Sequence, residues 1–267
     1  MGRLGTKAMA AGQRDLSAGA EFLKTSAKAA GVQVLSANLL EADKPVFPAS
    51  TILSVGNVKV ALIGLTTPGL VPGFAELKGA PTLEAVEAEL KKLGKRDLTV
   101  LLAATSYADA QELATQLKGR VDLVLQSGEF RGTVPPQNFE PTFVLASGQK
   151  GQAIAKLELS LDGTGPILDR GQSEAAKQQL EFIDAQISNL DARLKLAKEP
   201  APKADLERLI NEMKGRRAEQ QKKVDAPVAK GVRSLKNEWL VLGKDVADDP
   251  AIKAEVLKID PAYSGAH

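Results

Sequence analysis

The chain has no cysteine, and its single histidine is His267, the last of 267 residues. Without cysteine there are no disulfides, no thiolate-held zinc or iron–sulfur centres and no thiol nucleophile. A lone histidine at the tail excludes a Ser/His or Cys/His pair inside the fold. Neither a phosphate-binding Gly-x-x-x-x-Gly-Lys-[Ser/Thr] loop nor a Gly-x-Gly-x-x-Gly dinucleotide motif occurs. The formal charge is only +2, which gives no electrostatic case for nucleic acid or an anionic membrane. Aromatics are scarce, at 4%, and the basic run Lys214-Gly-Arg-Arg217 with Lys222-Lys223 has none interleaved. That run sits among acids on a predicted helix and reads as a solvated face. No stretch of 18 apolar residues exists, and Met1-Gly-Arg-Leu-Gly5 lacks the apolar core of a signal peptide.

What is present falls into three parts, predicted at residues 1–163, 170–226 and 227–267. The first alternates short β-rich runs with helical stretches. Strands are expected over 32–37, 50–55, 58–65, 98–103, 121–126, 142–146 and 153–161, and helices over 16–30, 82–94 and 107–117. Gly56-Asn57 separates two of the strands by a hairpin turn, so the sheet has an antiparallel portion beside its parallel one. The runs at 98–103 and 121–126 are nearly continuous in apolar residues, as strands covered on both faces are. This is a mixed-sheet α/β domain.

From Ala176 the apolar positions Leu180, Ile183, Ile187, Leu190, Leu194 and Ala197 follow one another at alternating spacings of 4 and 3. That is a heptad seam. Glu199-Pro-Ala-Pro-Lys203 breaks it, and a second helix carries Leu206, Ile210, Met213 and Val224, with Arg217 and Gln220 at the intervening positions. The pattern predicts an antiparallel helical hairpin whose second arm frays toward Lys222-Lys223, weakened at Gly215 by about 1 kcal/mol relative to alanine. The seam packs on its own second arm, on another copy of the chain or on an adjoining partner. In the tail, Asp248 or Asp249 caps a helix with Pro250 in its first turn and Ile252, Val256 and Ile259 as its stripe.

Six segments of the first part carry a family resemblance. Ala8-Met-Ala-Ala-Gly-Gln-Arg-Asp-Leu-Ser-Ala-Gly19 resembles the segment around the GNHE motif of 5'-nucleotidase-type, calcineurin-like metallophosphoesterases. Val34-Leu-Ser-Ala-Asn-Leu39 is similar to the strand that follows it, and Val60-Ala-Leu-Ile-Gly-Leu-Thr-Thr-Pro68 to the family's GLTTP segment. Residues 97–106 and 121–130 fall where the family has its SHxG and GHxH strand ends, and 145–161 resembles the closing strands. The resemblance covers about residues 5–163 and implies a metallophosphoesterase-like sandwich, incomplete at its N-terminus, in a periplasmic phosphoric-ester hydrolase.

Position by position, however, the family's metal ligands are replaced. The GNHE asparagine, histidine and acid fall on Gln13, Arg14 and Asp15; the SHxG histidine on Ala104; the GHxH histidines on Gly128 and Phe130, with Glu129 between. The family's Asp-x-His and Gly-Asp motifs would lie upstream of Met1. A two-metal phosphoesterase holds its cations about 3.5–4 Å apart with imidazoles and carboxylates. Alanine, glycine and phenylalanine offer no side-chain lone pair, and Arg14 places a fixed positive charge where a neutral imidazole should act. The expectation is a domain with no catalytic residues, metal or cofactor, whose vestigial or anion-binding site consists of Gln13, Arg14, Asp15, Asn38, Glu129 and Arg131, with Lys150 a further cation. One alternative is an active hydrolase whose metal site is rebuilt from Asp15, Asp109, Asp122 and Glu129. Structural roles compete with it: Asp15 as a cap or first-turn acid of the 16–30 helix, Asp109 in an early helical turn, Asp122 at a strand start and Glu129 in a polar loop. The other alternative is a metal-free phosphate or carboxylate pocket around Arg14. In the tail, Ala262-Tyr-Ser-Gly-Ala-His267 resembles the start of the multihaem cytochrome c domain that follows in some bacterial relatives. That implies such a domain or subunit as a companion.

Overall fold

A computed structural model describes residues 1–129, 134–139, 141–146, 153–163, 165–225, 231–243 and 245–262. A 3-10 turn at Gly2–Leu4 leads to β1 (Ala8–Ala10), α1 (Ala20–Ala30), β2 (Gln33–Leu35), β3 (Leu39–Glu41), β4 (Lys44–Pro45), β5 (Ser50–Val55), β6 (Val58–Thr66), β7 (Gly69–Val71) and β8 (Phe74–Gly79). There follow α2 (Thr82–Lys92), β9 (Leu98–Ala104), α3 (Tyr107–Gln116), β10 (Leu123–Ser127), β11 (Val134–Phe139), β12 (Thr142–Ala146) and β13 (Ala153–Ser160). The remainder comprises β14 (Leu168–Asp169), α4 (Gly171–Leu196), α5 (Pro200–Asp225), β15 (Ser234–Val241) and α6 (Pro250–Ile259). By its contacts the chain divides into two units: Met1–Lys156 with Asn237–His267, and Leu157–Lys236.

The first unit is built on a six-stranded mixed sheet in the order β11-β12-β10-β9-β6-β5. Its centre, β6-β9-β10-β12, is parallel, and both edge strands run antiparallel to their neighbours. The β5–β6 hairpin turns at Gly56, whose φ of 57° is in the left-handed region. Alternate residues of the central strands, including Ile63, Leu65, Leu101, Ala103, Val124 and Val144, form one buried core with Tyr107, Ala110 and Leu113 of α3 and Val86 of α2. Against β6 and β9 packs a second, two-stranded parallel sheet of β1 and β2. The approach is closest at Gly64, where a Cβ would stand 2.3 Å from the Leu35 carbonyl oxygen.

Two differences from the sequence reading stand out. The first helix begins at Ala20 rather than at residue 16, because Gly12 to Gly19 form a series of turns and Gly19, at φ 89°, is its N-cap. Asp15 therefore neither caps that helix nor lies in its first turn. The other is a four-stranded sheet, β4-β3-β8-β7, with no counterpart in the sequence reading. Its strands are short and lack a sustained alternation of apolar and polar residues, so pairing rather than pattern defines them.

In the second unit α4 and α5 form the hairpin. Leu180 and Ile183 on α4 and Leu206 and Ile210 on α5 are its buried seam, each worth about 1.5–3 kcal/mol when removed from water. The break is shorter than its sequence suggested, since Pro200 and Pro202 fit within the first turn of α5. α5 runs to Asp225. Arg217 does not interrupt the seam but crosses it, its Nε donating to Asp184 Oδ1 at 2.6 Å and its Nη2 to Oδ2 at 3.2 Å. In the first unit, Asp249 caps α6, accepting from the Ala251 and Ile252 backbone N–H groups at 2.9 and 3.0 Å.

Candidate functional site

The turns after β1 and the ends of β9 and β10 meet at a cavity of about 700 Å³. Its lining includes Gln13, Arg14 and Asp15 from the first loop, Ala104 from the end of β9, and Gln126, Ser127, Gly128 and Glu129 from β10 and the residues after it. The ends of β9 and β10 share one rim because neighbouring strands of a parallel sheet point the same way, and β1 reaches that rim from the second sheet packed against β6 and β9. Contact is close: a Cβ on Gly12 would lie 3.6 Å from Ala104 Cβ, and one on Gly128 3.3 Å from the Ala104 carbonyl carbon. Positions far apart in sequence are thus adjacent in space. Opposite the polar rim, Ala8, Met9, Ala10, Leu102 and Leu125 supply an apolar wall.

The carboxylates at the rim are bound to the protein's own backbone. Asp15 Oδ2 accepts from the Gly12 N–H at 2.9 Å, closing the turn. Glu129 Oε2 accepts from the Tyr107 N–H at 2.5 Å, at the first residue of α3. That arrangement places a negative charge at the positive end of the helix. Arg14 is exposed. Below the rim, Gln126 Nε2 donates to the Thr105 carbonyl at 2.7 Å and Thr67 Oγ1 to the Ala104 carbonyl at 2.8 Å, fixing the end of β9. Sequence reading missed Gln126, although a polar residue directly after the apolar run Leu123-Val-Leu125 was a signal for it.

Asn38 lies apart from this site. It is buried, donates through Nδ2 to the Thr66 and Ala80 carbonyls at 2.8 Å each, and accepts through Oδ1 from the Thr66 N–H at 2.8 Å. Ser36 Oγ also reaches Oδ1, at 3.4 Å. With both donors and its acceptor engaged, Asn38 is a strut between chain segments and does not line the cavity. Asp109 and Asp122 are also structural. Asp109 Oδ2 accepts from Thr105 Oγ1 at 2.9 Å in the first turn of α3, and Asp122 Oδ2 from the Thr99 N–H at 2.8 Å. Phe130, Arg131 and Lys150 lie outside the described residues.

Among the described residues, the donor set at the cavity does not fit a pair of divalent cations. Among the described residues no three His, Cys, Asp or Glu side chains come together as a metal would require. The two carboxylates at the cavity are held by the N–H groups of Gly12 and Tyr107, and Ala104, Gly12 and Gly128 have no side-chain donor atom.

No family model matches the chain, and no curated protein is similar to it. Solved structures are. Over 59% of its length the chain is similar to the 5'-nucleotidase precursor of Thermus thermophilus, at 22% identity and a TM-score of 0.52, covering 36% of that protein. Over 59% it is also similar to the sulfate thiohydrolase SoxB of the same organism, at 22% identity and a TM-score of 0.53, covering 30% of that protein. The chain thus spans about a third of the length of each. At these identities the likeness is one of fold, and that fold is the 5'-nucleotidase-like metallophosphoesterase fold.

Proposed function

We propose that this is a binding domain on a metallophosphoesterase fold, with its ligand held in the cavity and no metal-assisted hydrolysis. The observation that carries the reading is that the residues after β1 and the ends of β9 and β10 meet at one cavity and, among the described residues, bring no set of metal-binding side chains to it. Hydrolysis would need cations to activate water and to bear the charge of the leaving oxygen. Here Asp15 and Glu129 secure turns instead. The test is a phosphomonoesterase and nucleotidase assay of the pure chain with manganese, zinc or magnesium added. No metal-dependent turnover is expected, and turnover lost on Asp15→Asn or Glu129→Gln would establish the rebuilt hydrolytic site in its place.

A second reading rests on Arg14. Its guanidinium is exposed at the cavity, and among the described residues it makes no ion pair. An anionic group is the natural partner of such a cation. Phosphate or a nucleotide should then raise the melting temperature, and Arg14→Ala should remove the shift. A periplasmic setting and a multihaem cytochrome c domain or subunit as companion belong to the same proposal through the sequence resemblance. Co-purification from a periplasmic extract with a haem-absorbing partner tests them.

A further inference from the structure

We propose that the face of α4 turned away from α5 is an interface on which a second copy of this chain docks, the two α4 helices lying antiparallel. The helix is apolar on two faces. One is the seam against α5, where Leu180 and Ile183 are each 8% exposed. The other runs Phe182, Ala185, Asn189, Ala192 and Leu196, at spacings of 3, 4, 3 and 4. At 3.6 residues per turn this second stripe lies nearly opposite the first. Phe182 is 64% exposed and Leu196 81%, and the three smaller residues between them are exposed too. A heptad stripe with a large apolar side chain at each end, left in water, is the pattern of a helix that packs on another helix.

Charge complementarity selects a second copy as the occupant and fixes its direction. Glu181 and Lys195 flank the stripe on one side, one heptad before and one heptad after Ser188. Both are exposed, and among the described residues neither makes an ion pair. When two α4 helices lie antiparallel about a two-fold axis near Ser188, Glu181 of each copy comes beside Lys195 of the other. One symmetric contact thereby makes two ion pairs. A parallel pair would bring Glu181 beside Gln186 and forgo both. In the antiparallel register Phe182 enters the hole between Asn189, Ala192 and Leu196 of the second copy, a large side chain over small ones. From Glu181 to Leu196 the contact spans about 24 Å of helix. That length is at the small end of specific interfaces, which makes the dimer reversible and dependent on concentration.

The test is sedimentation velocity of the full chain over a range of concentrations. A monomer–dimer equilibrium with a dissociation constant of about 10 μM is expected. Phe182→Asp should leave only monomer, with helix content unchanged by circular dichroism, because that side chain is exposed in the single chain. Glu181→Lys and Lys195→Glu should each weaken the dimer about tenfold, since either sets like charges against each other at both contacts. Mixing these two variants should restore the original affinity, because the mixed dimer has opposite charges at both contacts. That rescue is specific to the antiparallel arrangement, and a merely structural role for either residue would not produce it. An unaltered chain that stays monomeric at about 100 μM would assign the stripe to a different protein and overturn the proposal. So would a dimer indifferent to Phe182→Asp, or mixed variants that associate no more tightly than each does alone.

Discussion

Glu129 accepts a hydrogen bond from the Tyr107 backbone N–H at 2.5 Å, fastening the loop after β10 to the first turn of α3. Ser106 caps the same turn through the Asp109 N–H at 3.1 Å. A residue that the family resemblance places between two metal-ligand positions thus holds a helix end. Glu129→Gln keeps the shape and removes the charge, so thermal unfolding should register a loss of about 0.5–1 kcal/mol, roughly 2 °C. An unchanged melting temperature would mean that this bond contributes nothing.

Asn38→Ala should cost much more. It strips hydrogen-bond partners from the Thr66 N–H, the Thr66 carbonyl and the Ala80 carbonyl in a buried setting. Each stranded group carries a penalty of about 1–3 kcal/mol, so a total of at least about 3 kcal/mol is expected in urea unfolding. A loss below about 1 kcal/mol would show that water replaces the amide.

Gly64→Ala tests the contact between the two sheets. The added methyl would press on Leu35 backbone atoms at 2.3 and 2.4 Å, and strand backbone moves less readily than a side-chain tip. The expected destabilisation is about 3 kcal/mol, with β1 and β2 losing hydrogen-exchange protection before the six-stranded sheet does. Normal protection in β2 would contradict the packing described.

The hairpin should be sensitive to acid. The Arg217 guanidinium, by hydrogen bond first and by charge second, holds the Asp184 carboxyl below the ordinary aspartate value of 3.8. A lowered folded-state value means that the contribution is fully present above the unfolded value and is lost as pH falls through the folded one. Stability of the hairpin, followed by exchange of α4 amides, should therefore decline below about pH 4. The decline should be smaller in Arg217→Gln, and identical acid profiles would remove the pair from the account.

Much of this arrangement was legible from local pattern. The β5–β6 hairpin, the parallel order of the central strands and the helical hairpin follow from turn residues and periodicity. The grouping of Gln13, Arg14, Asp15, Ala104, Gly128 and Glu129 at one cavity was implied by the family resemblance, which sets them at its ligand positions. What stayed hidden depends on partners distant in sequence. Asn38 reads as a site residue until Thr66 and Ala80, 28 and 42 positions away, are found on its amide. Arg217 reads as a break in a seam until Asp184, 33 positions away, is found across it. The start of α1 was misplaced because apolar spacing continues through Leu16, whereas Gly19 fixes the backbone conformation that opens the helix.

The central claim is that the fold persists without its metal chemistry. Metal content by mass spectrometry, after purification with manganese and zinc and extensive buffer exchange, tests it most directly. The account predicts near-zero metal per chain, whereas one or two tightly held ions would contradict it and restore hydrolysis as the function of the cavity.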